Sequence, residues 1–164
     1  MKTLFLIRHS KSDWANDELA DVDRPLNERG YRDAHAMGGR LKERKDIPDL
    51  VMSSDAVRAA STAMILMREM DLNSSRLKIE RAMYEAPAEQ LLKIVRGIDD
   101  RYEKVFFVCH NPGITNLVNR ICNASIDNVP TTGVLCIDIP FDSWKGAGLE
   151  DGTLRYFDFP KKKD

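Results

Sequence analysis

The sequence predicts an α/β fold: a single-domain three-layer α/β/α sandwich around a mostly parallel central sheet, spanning residues 1–164. Three observations carry that prediction. Short apolar runs alternate with amphipathic stretches of helical length, the order that buries a parallel sheet between two layers of helices. Two of those runs, Leu4-Phe5-Leu6-Ile7 and Val105-Phe106-Phe107-Val108-Cys109, are continuously apolar, as strands covered on both faces are. A chain of 164 residues with 43% hydrophobic content is long enough for one sizeable core and short for two.

Composition narrows the function before any motif is read. With 25 basic and 26 acidic side chains the net charge is −1, which gives no general attraction to nucleic acid or to an anionic membrane. An anion-binding site must therefore be local. Cys109, Cys122 and Cys136 form an odd set without CxxC spacing, so neither a disulfide framework nor a metal site is expected. The chain enters its first strand directly after Met1-Lys2-Thr3, and no apolar run reaches the roughly 20 residues of a membrane span. These features predict a cytoplasmic protein.

In chain order, Leu4–Ile7 is the first strand, and it stops abruptly at Arg8-His9-Ser10. The polar segment from Lys11 to Leu26 reads as a loop ending in Asp23-Arg24-Pro25-Leu26. Asn27 is placed as the N-cap of a helix reaching about Arg44, with Ala34, Met37, Gly38 and Leu41 on its buried face. His35 lies beside that stripe and is read as structural or solvent-facing. Asp49–Met52 is a short strand, and Ser53-Ser54-Asp55 offers capping side chains for a largely apolar helix from Ala56 to about Met70. Leu77-Lys78-Ile79 is a further short strand. Pro87 suits the first position of the next helix, whose buried face is Leu91, Ile94, Val95 and Ile98. After the strand at Val105–Cys109, Asn111-Pro112 reads as N-cap and first residue of a helix carrying Ile114, Leu117, Val118 and Ile121. Val134–Ile139 and Leu154–Phe159 are the last strands, separated by a turn at Gly146-Ala147-Gly148, and Lys161-Lys162-Lys163 is expected to be solvated.

Two of the three histidines, His9 and His110, follow an apolar strand directly, where open α/β sheets place their ligands. Arg58 falls in the first turn of its helix, a position unfavourable to a cation. An anionic ligand would explain it, and so would a surface pair with Asp55; helix position alone does not choose. In the predicted sandwich, Arg8, His9, Arg58, His110 and the helix start after Asn111 would meet at one sheet edge. Two guanidinium groups, two imidazoles and a helix N-terminus suit a doubly charged oxyanion, for which phosphate is the natural candidate. Glu85 precedes a helix and on that ground alone is only a favourable dipole partner.

The segment Leu6-Ile7-Arg8-His9-Ser10 resembles the Arg-His-Gly signature of the histidine phosphatase superfamily, which includes the phosphoglycerate mutases. Asp23-Arg24-Pro25-Leu26-Asn27-Glu28-Arg29-Gly30, Ser54-Asp55-Ala56-Val57-Arg58-Ala59 with Thr62-Ala63, and Cys109-His110-Asn111-Pro112-Gly113 resemble its small SixA-like phosphohistidine phosphatase branch. The resemblance implies that His9 is the nucleophile that becomes phosphorylated and that Arg8, Arg58 and His110 hold the phosphoryl group. It makes Glu85 the candidate general acid and requires no metal and no cofactor; Asp13, close in sequence to His9, is a reserve acid but reads more readily as a loop cap. The implied partner is a phosphorylated protein, such as a histidine phosphotransfer domain, or a small phosphorylated metabolite.

Elementary chemistry agrees. A neutral imidazole attacks phosphorus in line when its other ring nitrogen donates to a fixed acceptor, and surrounding cations balance the charge on the equatorial oxygens. The chain departs from the signature at Ser10, which stands where glycine is usual. Lys11 adds a cation that favours an acidic substrate or faces water, and Arg24 either folds over the pocket or pairs with Asp21 or Asp23. Competing readings are a small-molecule phosphomonoesterase and a non-catalytic phosphate-binding module. A mutase is disfavoured because no segment is long enough for a closing lid. His9 argues against a mere binder, since binding does not need a nucleophile among the cations.

Overall fold

The computed structural model describes residues 1–162. Six strands form one sheet: β1 (Lys2–Arg8), β2 (Leu50–Ser53), β3 (Leu77–Ile79), β4 (Lys104–Cys109), β5 (Val134–Ile139) and β6 (Thr153–Asp158). Their order is β3-β2-β4-β1-β5-β6, and β3, β2, β4 and β1 run parallel while β5 and β6 join antiparallel. The sheet is thus mostly parallel, as expected. Helices α1 (Glu28–Glu43), α2 (Val57–Glu69), α3 (Ala88–Arg96) and α4 (Gly113–Cys122) supply the outer layers.

Alternation along β1 divides the interior in two. Phe5 and Ile7 point to one face and pack with Met37 and Leu41 of α1 and Ala59, Ala63 and Leu66 of α2. Leu4 and Leu6 point to the other, against Leu91, Leu92 and Val95 of α3 and Leu117, Val118 and Ile121 of α4. Every one of these side chains is essentially inaccessible to water, which is the burial that offsets the entropy of ordering the chain.

Asn27 caps α1 as predicted, accepting from the Gly30 N–H at 2.8 Å. Other boundaries differ. Ala56, not a side chain of the Ser53–Asp55 run, occupies the cap position of α2, because Ser54 is turned inward. Pro87 and Pro112 are themselves cap residues, and α3 and α4 begin one residue later than expected. At α4, Asn111 reaches past the proline to accept from the Thr115 N–H at 3.2 Å, so the cap is made from one position further out. On α3, Leu92 is fully buried and Ile94 only partly so. The glycine-rich turn before β6 is preceded by a 3₁₀ turn at Trp144–Gly146, where Trp144 is buried and donates Nε1–H to the Tyr102 carbonyl. Lys161 and Lys162 are exposed; Lys163 lies outside the described residues.

Strand register delivers the residues of interest to one rim. Arg8 pairs with Cys109 across β1 and β4, so His9 and His110 leave adjacent strands side by side. Ser53 pairs with Val108 across β2 and β4, which puts Ser54 and the start of α2 next to His110. The order β2-β4-β1 is what makes three distant segments neighbours.

Candidate active site

The loop 11–26 is closed at its base by a Ser12–Leu26 bridge and by the Asp13 N–H on the Pro25 carbonyl at 2.7 Å. Gly30, in the first turn of α1, packs so closely beneath it that a Cβ there would lie 2.2 Å from the Lys11 carbonyl oxygen. Closing the base throws the 3₁₀ turn Asp21–Asp23 across the strand ends. There Arg58 reaches it, donating to the Asp21 carbonyl at 2.8 Å and to Asp21 Oδ2 at 3.0 Å.

Between the loop and the strand ends lies a cavity of about 270 Å³ lined by Arg8, His9, Lys11, Arg24, Arg58 and His110, with Asp21 and Glu85 at its edge. His9 and His110 face each other with ring centroids 5.2 Å apart. His9 Nδ1 stands 2.7 Å from the Ser10 carbonyl oxygen. A carbonyl only accepts, so Nδ1 carries the hydrogen and Nε2 keeps its lone pair. Arg58 Nε donates to that Nε2 at 3.4 Å. Burial, opposed in part by the Ser10 contact and reinforced by Arg58, Arg8 and Arg24, depresses the His9 pKa to about 4. His110 falls to about 3, again through burial first and then through His9 and Arg58. Both rings are neutral at neutral pH.

Arg58 is not paired with Asp55, which lies near Arg81 instead. It is 3% exposed, and its Nη2 is shared between Asp21 and Glu85 Oε1, the latter at 2.9 Å. The cation placed against the dipole of α2 is therefore held by two carboxylates and aimed at His9. Arg8 donates Nη1–H to the Val129 carbonyl at 2.9 Å, while its Nε is buried with no hydrogen-bond partner among the described residues. Arg24 Nη1 is likewise buried and without a partner, although Arg24 also pairs with Asp21 at 3.1 Å and lies under the Trp14 ring. Buried donors of this kind are costly to leave unmade, and both belong to residues lining the cavity.

Sequence expectation and structure diverge at the start of α4. The Ile114 N–H is taken by the His110 carbonyl at 3.1 Å and that of Thr115 by Asn111. The cavity is lined by Asn111 but by no residue of α4, so side chains rather than a helix terminus supply the donors. Asp13 turns its carboxylate to the Ala15 N–H and serves as a loop cap. His35 is half-exposed on α1 and pairs with Glu69, far from the site.

The histidine phosphatase superfamily (branch 1) matches the chain over residues 4–86, just over half its length. The chain belongs to the histidine phosphatase superfamily. Its fold is that of the SixA-like branch and its activity that of a phosphatase. The protein histidine phosphatase SixA complexed with tungstate superimposes with a TM-score of 0.82 at 19% identity, covering 96% of this chain and 97% of that one. The Agrobacterium tumefaciens protein assigned as a phosphohistidine phosphatase SixA gives 0.80 at 25% identity, over 95% and 97%. Among curated sequences, uncharacterized protein ML1117 of Mycobacterium leprae is 26% identical over 94% of this chain and 100% of its own length. Phosphoglycerate mutase 1 of Saccharomyces cerevisiae is 37% identical, over only 43% of this chain and 30% of the mutase.

Several parts of this histidine phosphatase site escape a reading of the sequence. Asp21 is one: it accepts from Arg58, from Arg24 and, in a short contact, from the Tyr84 hydroxyl. That hydroxyl, with Arg58 and Arg24 behind it, holds the Asp21 carboxyl below its ordinary range. Ser54 is another, its Oγ 2.7 Å from His110 Nε2 and 3.3 Å from the Ala56 N–H. No local signal marks either residue, since a loop aspartate and a serine before a helix have ordinary local uses. Among the described residues, no group of three or more His, Cys, Asp or Glu is placed to hold a metal ion, and no helix is long and apolar enough to cross a membrane.

Proposed function

We propose that residues 1–164 act as one metal-independent phosphatase domain that works through a phosphohistidine on His9, with a phosphohistidine-bearing protein as substrate. The observation that carries this reading is the His9 ring itself: neutral, its Nδ1–H on the Ser10 carbonyl at 2.7 Å, its Nε2 lone pair turned to Arg58 inside a cavity ringed with cations. Nε2 attacks phosphorus, the bond from phosphorus to the leaving group breaks, and the leaving group departs with the electron pair and takes up a proton. Water then attacks phospho-His9, the P–N bond breaks, and inorganic phosphate leaves with the imidazole restored. Arg8, Arg58 and His110 hold the phosphoryl oxygens throughout, and Lys11 and Arg24 add positive charge to the cavity lining.

In this scheme Glu85 takes up a proton when substrate binds, gives it to the leaving group, and regains one from the water that attacks phospho-His9. Its Oε1 lies 2.9 Å from Arg58 Nη2 and 3.7 Å from His110 Nδ1, beside the phosphoryl position, and Asp21 is held as a carboxylate by Tyr84 and Arg58. Support for the phosphohistidine substrate comes from likeness to SixA over nearly the full length of both chains. A cytoplasmic setting is consistent with the free cysteines Cys109, Cys122 and Cys136.

The test is chemical trapping. Acid-quenched enzyme incubated with an aryl phosphate should carry phosphate on His9, and His9→Ala should lose both the label and turnover while keeping its thermal transition. Retained turnover in His9→Ala would refute the nucleophile. A panel comparing a phosphohistidine-bearing phosphotransfer domain, sugar phosphates and phosphoserine peptides then decides the substrate; preference for a sugar phosphate would replace the protein substrate with a metabolite. Glu85→Gln should slow hydrolysis of esters with poor leaving groups far more than that of good ones.

A further inference from the structure

Thr132 is the most constrained residue near the reacting ring, and no step of the chemistry above uses it. It is fully buried, yet its φ is +62°, a left-handed backbone that β-branched residues strongly avoid and glycine adopts freely. Its N–H is shared between the Arg8 carbonyl at 3.0 Å and the His9 carbonyl at 3.2 Å. Its Oγ1 lies 2.7 Å from Ser10 Oγ, a hydroxyl pair sealed from solvent. The flanking backbone is tied to the same strand end, since the Gly133 carbonyl accepts from the Arg8 N–H at 3.0 Å.

Ser10, the departure from the Arg-His-Gly signature, is the other half of this arrangement. Each of its polar groups is engaged. Its N–H donates to Thr62 Oγ1 at 2.9 Å, its Oγ meets Thr132, and its carbonyl receives His9 Nδ1–H at 2.7 Å. Thr62 in turn donates to the Arg58 carbonyl at 2.7 Å, so the clamp also spans to α2. A glycine at position 10 would leave the Thr132 hydroxyl without this partner. A serine side chain, by contrast, fixes the peptide that bears the acceptor of His9.

We propose that the Ser10–Thr132 hydroxyl pair is a positioning device for the nucleophile. It holds the Ser10 carbonyl in the one orientation that keeps His9 as its Nδ1–H tautomer with Nε2 aimed at phosphorus. The left-handed conformation of Thr132 persists because the surrounding hydrogen bonds over-determine it. The inference rests on His9 acting as the nucleophile, and it concerns what sets that ring rather than what the ring does.

The test compares Thr132→Val, which keeps volume and branching but removes the hydroxyl, with Thr132→Ser, which keeps the hydroxyl. With an aryl phosphate, Thr132→Val should lose about tenfold or more in kcat at nearly unchanged KM, the mark of a misdirected ring rather than of lost binding. Thr132→Ser should stay within about twofold of the parent, because the hydroxyl pair survives. Ser10→Ala breaks the pair from the other side and carries the test if Thr132→Val does not fold. Adding it to Thr132→Val should cost no more than either change alone. A folded Thr132→Val or Ser10→Ala enzyme with parental kcat overturns the inference.

Failure of the underlying reading looks different. The parent chain would then form no phosphate label on His9, but the ¹⁵N shifts of the imidazole still report the tautomer. These should show Nδ1–H in the parent and a mixture of tautomers in Thr132→Val. Identical shifts in both would sink the positioning role whatever the nucleophile.

Discussion

His9 is a free base for two separable reasons, and each has a measurable consequence. The Ser10 carbonyl fixes which nitrogen carries the hydrogen, and burial together with Arg58, Arg8 and Arg24 fixes that there is only one. With its pKa depressed to about 4, His9 stays competent well below neutrality. The acid limb of kcat/KM should therefore appear near pH 4, falling about tenfold per pH unit below it, and a limb near 6.5 would mean that the ring is solvated. Stability follows the same sign. A histidine whose folded pKa lies below its unfolded value binds fewer protons folded than unfolded, so acidification favours the unfolded chain. His9 and His110 should each cost about 1.4 kcal/mol of stability per pH unit as pH falls from roughly 6.5 toward their folded values. Urea titrations at pH 7, 6 and 5 measure this directly. In the proposed scheme Arg58→Ala removes a donor to the phosphoryl group, and it leaves Asp21 and Glu85 without their shared cation. It should lower kcat/KM by about 10²-fold or more and weaken inhibition by inorganic phosphate.

At the scale of elements, site geometry depends on how closely the loops approach the helix starts. At Gly113, the first residue of α4, an added Cβ would sit 2.2 Å from the Ala86 carbonyl oxygen, and Ala86 directly follows Glu85. Glycine there lets the loop before α3 close against the segment that carries His110. Gly113→Ala should destabilise the fold by about 1–3 kcal/mol and, unlike a change elsewhere on α4, also reduce turnover by displacing Glu85. Denaturation and steady-state kinetics on one preparation separate the two effects. Unchanged kcat would show that the Glu85 loop tolerates the shift.

For the molecule as a whole, the site is assembled from both helical layers. Arg58 comes from α2 on one face of the sheet, Glu85 from the approach to α3 on the other, and His9 and His110 from the strand ends between them. An oxyanion that engages all of them binds only the complete fold. Vanadate or tungstate should therefore raise the thermal midpoint, by an increment equivalent to about 2.7 kcal/mol at 100 times its dissociation constant, and His9→Ala with Arg58→Ala should abolish the rise. The net charge of −1 makes this a local effect, expressed at one rim of the sheet. EDTA should leave activity unchanged, as expected for chemistry carried by side chains; a loss would point to a metal requirement.

Periodicity and strand grammar were sufficient for much of this. Continuous apolar runs mark strands covered on both faces, the Ala34–Leu41 stripe marks the buried side of α1, and a charged residue at the end of a buried strand marks the ligand edge, because each is a consequence of local geometry acting on burial. Arg8, His9 and His110 were legible on those grounds, whereas the helix position of Arg58 left a surface pair with Asp55 equally open. Asp21, Ser54 and Thr132 were not, since their importance lies in partners at 37, 56 and 122 residues' distance, which only strand order and register bring near. The same holds for the anion donors: the helix N-terminus after Asn111 was a fair expectation from sequence, yet the Ile114 and Thr115 N–H groups are spent on His110 and Asn111. Local sequence determines which segments can become strands and helices and which end of each bears chemistry. Tertiary structure alone decides which donors remain unspent when those ends meet, because hydrogen bonds are allotted by distance in space and not along the chain.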